Sequence, residues 1–240
     1  MNPERLPKFR PEQKKSQEDL FKHELIQKEF RNIFESSEYT LPENTKAIMI
    51  LSAPPNEKGE NFSDEKEGSP ENVARIKLAI EVYKRIAAKK LGKDIKQLTD
   101  EDLRSEILPF IILNGETEQL PMMRKVAVDE FHFPLEKLQE MDCGRRGVAN
   151  TKTQFEKFEL DPHLSKLPHI TLITNAYYAP RVVRTASANL SADTDFDVIG
   201  VPLKDLKFNV FRKTRGEVKK IIRYAEKGDI SKHPRDRKPI

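Results

Sequence analysis

HITLITNAYYAPRVVRTASANL (169–190) joins a short apolar run directly to a periodic one. In its first half Ile170, Leu172 and Ile173 fall on both parities, which suits a strand buried on two faces rather than one. In its second half Ala179, Val182, Val183, Ala186 and Leu190 recur at helical spacing, the stripe of an amphipathic helix. The same pairing repeats along the chain. KAIMILSA (46–53) precedes a helix over 71–88 striped by Val73, Ile76, Ile80, Tyr83 and Ala87. LPFIILNG (108–115) precedes a helix with Met123, Val126, Ala127 and Phe131 on one face. FDVIGVP (196–202) reads as a fourth strand and FNVF (208–211) as a fifth, before a last helix carrying Val218, Ile221, Ile222 and Ala225. Strands that alternate with helices predict an α/β, Rossmann-like doubly wound fold. Its sheet is mainly parallel, of about five strands, with helices on both faces.

Outside these units the chain is more polar. Residues 1–15 hold three prolines and little to bury, and read as a disordered arm. Residues 16–40 form an N-terminal helical extension, in which Phe21, Leu25, Phe30 and Phe34, with Ile26 and Ile33, make an apolar stripe behind a Ser16 cap. The α/β domain spans 41–228 and a flexible tail 229–240. Within the domain, 54–71 is a long polar loop and 89–108 an insertion, where Thr99 to Asp102 has the form of a helix-opening cap. The segment 135–150 reads as polar and irregular, and 151–158 as a short helix carrying Phe155 and Phe158.

The composition excludes several classes. The chain has 240 residues and 27.8 kDa, of which 37% are hydrophobic and 34% charged, with mean hydropathy −0.69. One ordinary core can be buried, and no apolar run is long enough to span a bilayer. No secretory signal is visible in MNPERLPKFRPEQKK, so a cytoplasmic location is expected. The net charge of +4 is too small for a dedicated nucleic-acid binder, and the basic tail lacks interleaved aromatics. Cys143 is the sole cysteine, so an intrachain disulfide framework and a multi-cysteine zinc site are excluded. The five histidines are scattered, and no metal site is expected from them. Phosphate-loop, dinucleotide, zinc-protease and nucleophile-elbow motifs are all missing.

In open α/β sheets ligands bind beyond the carboxyl ends of the strands. Strand one ends in Ser52, strand two in Asn114, Gly115 and Glu116, strand three in Thr174, Asn175 and the Tyr177-Tyr178 pair. Small polar groups beside helix starts favour an anion. They are equally the residues from which turns and caps are made, and the pattern alone leaves both readings open. Arg181 lies in the first turn of its helix, beside the crevice. Arg184 falls roughly 140° from Ala179 on the helical wheel and is expected on the solvent face.

Three blocks then line up in order with a known family. ILNGETEQLPMMRKVAVDEFHFP resembles a "strand–Ser-Gly-Gly–acidic helix–Gly-Val-Pro" block, MDCGRRGVANTKTQF a "Thr-x-Glu-Asn" block, and ITLITNAYYAPRVVRTA a "Thr-Ser-x-Tyr-His-x-x-Arg" block. Over about residues 45–227 the chain resembles the YdcF/SanA/ElyC-like proteins, a bacterial family of unassigned reaction linked to the cell envelope. The resemblance implies a Rossmann-like fold and, as cofactor or ligand, S-adenosylmethionine or a related nucleotide. It places Asp142, Thr151 and Arg181 at family positions, with Arg75 where the first helix often carries arginine. Asp142 would bind a ribose hydroxyl or act as a base, unless it is simply a solvated loop residue. Asn150-Thr151 would reach the ligand or merely cap a helix. The chain departs from the family at Ser52-Ala53-Pro54-Pro55, at Asn114-Gly115-Glu116, at Thr153-Gln154 in place of Glu-Asn, and at Tyr178 in place of histidine.

Three functional expectations result. The chain binds a small anionic or nucleotide-like ligand; or it is an enzyme acting on a phosphorylated envelope precursor; or it is a non-catalytic module, with a protein partner held through the N-terminal helix.

Overall fold

The computed structural model describes residues 22–30, 39–52, 70–145, 150–202 and 210–232. Its five strands are β1 (Ala47–Leu51), β2 (Phe110–Gly115), β3 (Leu138–Asp142), β4 (His169–Asn175) and β5 (Asp195–Val201). They form one sheet in the order β3-β2-β1-β4-β5 with every neighbouring pair parallel. All five residues of β1 are buried, as a central strand covered on both faces requires. The helical segments are α1 (22–30), α2 (Pro70–Leu91), α3 (Asp100–Arg104), α4 (Leu120–Lys125, continuing as a π-turn), α5 (Thr151–Leu160), α6 (Ala179–Asn189) and α7 (Val210–Lys227).

The chain winds outward from β1 to β3, then returns to lay β4 on the other side of β1. That reversal is the switch point of a doubly wound sheet, where the carboxyl ends of the strands part and a crevice opens. The register keeps these ends level: Leu51 pairs with Asn114, and Ile50 with Ile173.

Two cores hold the molecule. The larger spans the sheet and α2 to α6, with Tyr83 of α2 edge-on to Phe133 at 4.9 Å between ring centres. The smaller joins Leu25 and Phe30 of α1 to Val218, Ile221, Ile222 and Ala225 of α7, with Ile230 beyond it. The described part of the N-terminal helix therefore docks on its own chain; Ile26 is left half-exposed, and Ser16, Phe21, Ile33 and Phe34 lie outside the described residues. The loop over 54–71 falls outside them too, apart from the first residues of α2.

Three expectations need correction. Residues 138–142, read as irregular, form the edge strand β3. Only Met141 of Leu-Gln-Glu-Met-Asp is fully buried, and an edge strand with one partner shows little apolar pattern. Val210 and Phe211 open α7 rather than belonging to a fifth strand, and residues 208–209 lie outside the described part; a four-residue apolar run has no period of its own. Arg184 is 2% exposed instead of facing solvent. It donates to the Glu29 carboxylate, to Pro180 O at 3.0 Å and to Lys232 O at 3.3 Å. A helical wheel does not foresee that α1 and residues 228–232 cross that face. The cap at Thr99 is present, its hydroxyl accepting from Asp102 N and the Asp102 carboxylate accepting from Thr99 N.

Gly200 of β5 lies against the turn that leaves β4. A Cβ there would stand 2.5 Å from Ala176 Cα and 2.8 Å from its nitrogen, against backbone that cannot swing aside. Gly200→Ala is expected to cost about 1–3 kcal/mol by overpacking, read as a lower midpoint in chemical denaturation; an unchanged midpoint would show that the two segments separate freely.

Candidate functional site

At the switch point the carboxyl end of the sheet is organised by two buried carboxylates. The first is Glu71, in the opening turn of α2. Its Oε2 accepts from Asn175 Nδ2 at 2.8 Å and from the Tyr177 hydroxyl at 3.1 Å, and its Oε1 accepts from Lys213 Nζ at 2.8 Å. One helical turn on, Arg75 is 2% exposed and lies 3.6 Å from the same carboxylate. It donates through Nε to Asn175 Oδ1 at 3.0 Å and through Nη1 to Leu51 O. Burial pulls its pKa below the ordinary arginine value while Glu71 pulls the other way; a guanidinium stays protonated regardless. The Tyr177 phenol is pushed up, first by burial and then by the Glu71 charge.

The second carboxylate is Glu217, in α7. It accepts from Arg181 Nε at 2.5 Å and from Lys220 Nζ at 3.0 Å. Arg181 also donates to Thr151 Oγ1 at 3.1 Å. Burial alone would lower the Arg181 pKa, but the Glu217 charge and hydrogen bond together with Tyr178 and Tyr224 outweigh it, and the net shift is upward. The two arginines meet at Tyr178, whose ring centre lies 5.6 Å from the Arg75 guanidinium and 4.8 Å from that of Arg181. Attraction of each cation to the ring holds this tyrosine in place.

Between these groups opens a cavity of about 200 Å³. Its lining includes Ser52, Glu116, Asn150, Thr151, Thr174, Tyr178 and Arg181, seven of the eleven residues singled out in the sequence. The other four lie elsewhere. Asn175 is behind the wall, holding Arg75 to Glu71. Gly115 does not offer open backbone to a ligand, because a Cβ on it would meet Gln119 Oε1 at 3.1 Å and Ser52 Cβ at 3.2 Å. Asn114 is wholly buried and accepts from Cys143 Sγ at 2.9 Å. Asp142, at the end of edge strand β3, accepts from the Thr117 hydroxyl at 2.9 Å and from Gly144 N at 2.8 Å. Asn150 and Thr151 combine the two readings left open: the Asn150 side chain caps α5, and both residues face the cavity.

Sequence reasoning missed Glu71, Lys213, Glu217, Lys220, Gln119 and Tyr224. Its only available signals were the spacings Glu71 to Arg75 and Glu217 to Lys220, which on an isolated helix read as ordinary surface pairs.

A second polar group sits at the opposite, amino end of the sheet. Asp197 Oδ2 lies 3.0 Å from His169 Nε2, His169 Nδ1 3.4 Å from the Thr45 hydroxyl, and that hydroxyl 2.6 Å from Thr171. It resembles an acid–base–nucleophile series, but Thr45 is fully buried and no substrate reaches its oxygen. The group ties β5 and the entry to β1 onto β4. Among the described residues no cluster of His, Cys, Asp or Glu is placed to hold a metal ion, and no helix is long and apolar enough to cross a membrane.

No protein-family model, curated protein or solved structure matches this chain.

Two outcomes are expected from this geometry. Arg75→Met removes the charge from a buried pair and leaves Asn175 and Leu51 O without their donor. It should cost about 3–5 kcal/mol in urea unfolding, and a loss below about 1 kcal/mol would show the network to be dispensable. Cys143 is pushed up to about 11 by burial and then by the Asp142 charge. Its alkylation at pH 8 should run roughly a hundredfold slower in the native protein than in denaturant; equal rates would overturn that placement.

Proposed function

We propose that the chain is a cytoplasmic member of the YdcF/SanA/ElyC-like group, and that its switch-point cavity binds a small anionic, nucleotide-type ligand. S-adenosylmethionine is among the candidates through the family resemblance. One observation carries this reading: the buried Glu217 carboxylate is shared by two cations that both line the cavity, Arg181 and Lys220. One carboxylate between two cations leaves that wall, among the described residues, with more positive than negative side chains. Such a charge is best satisfied by an anion arriving from solution. The first turns of α5 and α6 add their positive dipole ends at the same wall. No nucleophile with an adjacent base lines the described cavity, so binding, rather than a named reaction, is what these residues support.

Lys220 is the cleanest probe, because its side chain is 45% exposed and its removal leaves Arg181 on Glu217. Isothermal titration at low salt is expected to show binding of inorganic phosphate, AMP or S-adenosylmethionine. Lys220→Ala should weaken it roughly three- to tenfold with little loss of thermal stability, and added salt should weaken it further. Absence of heat with all three ligands at millimolar concentration would overturn the proposal.

A further inference from the structure

The positive charge of this chain is gathered on one helix. Over Val210–Lys227, α7 carries seven basic and two acidic residues, a net +5 against +4 for the whole sequence. At about 100° per residue its described side chains sort onto three faces. Val218, Ile221, Ile222 and Ala225 are packed with α1. Lys220 and Tyr224 line the cavity. The third face carries Arg215, Lys219, Arg223 and Lys227, four residues apart and all exposed.

These four differ from the other surface cations. Arg85, Lys89, Lys93, Arg104 and Arg124 each pair with a carboxylate. Among the described residues Arg215, Lys219, Arg223 and Lys227 have no ion pair, and Glu226, the acid of α7 on that side, joins none of them. Successive members stand about 6 Å apart along the helix axis, close enough to repel one another. A chain of anions laid along the helix removes that cost.

The geometry narrows the choice of polyanion. A rise of about 6 Å is near the separation of successive phosphates in an extended nucleotide strand, whereas inorganic polyphosphate repeats far more closely. A helix that lies on a bilayer needs an apolar face to insert, and that of α7 is already covered by α1. Arg223 adds a second feature. Its guanidinium lies 5.1 Å from the centre of the Tyr224 ring, a flat cation backed by an aromatic. Bases stack on such planes; phosphate chains and lipid headgroups have nothing to stack.

We propose that the outward face of α7 is a docking surface for single-stranded nucleic acid, held by its phosphates on Arg215, Lys219 and Lys227 and by base stacking on Arg223. The small net charge of the chain argues against a surface covered in such contacts, not against one helix that concentrates them. The proposal goes beyond the cavity and does not depend on its ligand, because none of the four residues lines it.

The test is fluorescence anisotropy on the full chain with labelled dodecamers of thymidylate and of uridylate. Both should bind alike, with dissociation constants of about 1–100 μM at low salt and a slope of log affinity against log salt of about −2 to −3, as three or four phosphate contacts require. Arg215→Gln and Lys219→Gln should each reduce that slope by roughly 0.7. Arg223→Lys keeps the charge and loses the plane; it should weaken either strand roughly fivefold or more and leave binding of inorganic polyphosphate unchanged. Arg104→Gln, at a paired surface arginine, should change nothing. Absence of binding by both strands at low salt overturns the proposal, as does a tenfold preference for one of them. Polyphosphate or phosphatidylserine vesicles bound as tightly as thymidylate overturn the choice of nucleic acid. An unchanged slope in Arg215→Gln and Lys219→Gln, or an equal loss in Arg104→Gln, overturns the assignment to α7.

Discussion

Arg75 keeps its charge with 2% of its surface exposed, and the carboxyl edge of the sheet is arranged around that fact. A buried guanidinium is tolerated only when its N–H groups are matched and its charge is countered. Its partners come from three places in the chain: Leu51 O at the end of β1, Asn175 at the end of β4, and Glu71 one helical turn earlier in α2. The bonds therefore lock α2 to both strands that flank the switch point. Asn175 is spent on this lock, accepting from Arg75 and donating to Glu71, which is why it stands behind the cavity and not in it.

The lock extends to α7 through Lys213, and α7 closes the site from above by a different kind of contact on each side. One face puts Val218, Ile221 and Ala225 into the small core with Leu25 and Phe30. The other presents Glu217, Lys220 and Tyr224 to the cavity region. Apolar area holds the helix to α1, while ion pairs hold it to the sheet edge. Arg184 adds to the first attachment by pairing with Glu29 while it also donates to Lys232 O. The described part of the N-terminal extension is thus part of what supports the cavity wall, since it covers the back of the helix that carries Lys213, Glu217 and Lys220.

Much of the site was legible because strand ends in a doubly wound sheet are places of known geometry. Once β1, β2 and β4 are found by their apolar runs, Ser52, Glu116, Thr174 and Arg181 must lie near one another, whatever their roles. What stayed hidden was the pairing. Glu217 lies 36 residues from Arg181 and Lys213 lies 142 from Glu71, and no local spacing connects them. Gly115 misled for a related reason: a glycine before a helix signals close approach, but what approaches is Ser52 and Gln119 of the same chain.

The sequence by itself determined the class of fold, since apolar runs on both parities alternating with helical stripes have few ways to bury themselves other than a parallel sheet between helices. It determined the central strands and the crevice between them. Only the tertiary structure decided which polar residues face that crevice and which are consumed in holding it. Burial of a charge is settled by distant partners: Arg184 lies on the polar side of its own helix and is covered by Glu29 of α1 and by Lys232, and Leu-Gln-Glu-Met-Asp becomes a strand only because β2 offers it an edge. Local pattern reports the free energy of an element against a generic core; the fate of each charge depends on which segment comes to lie upon it.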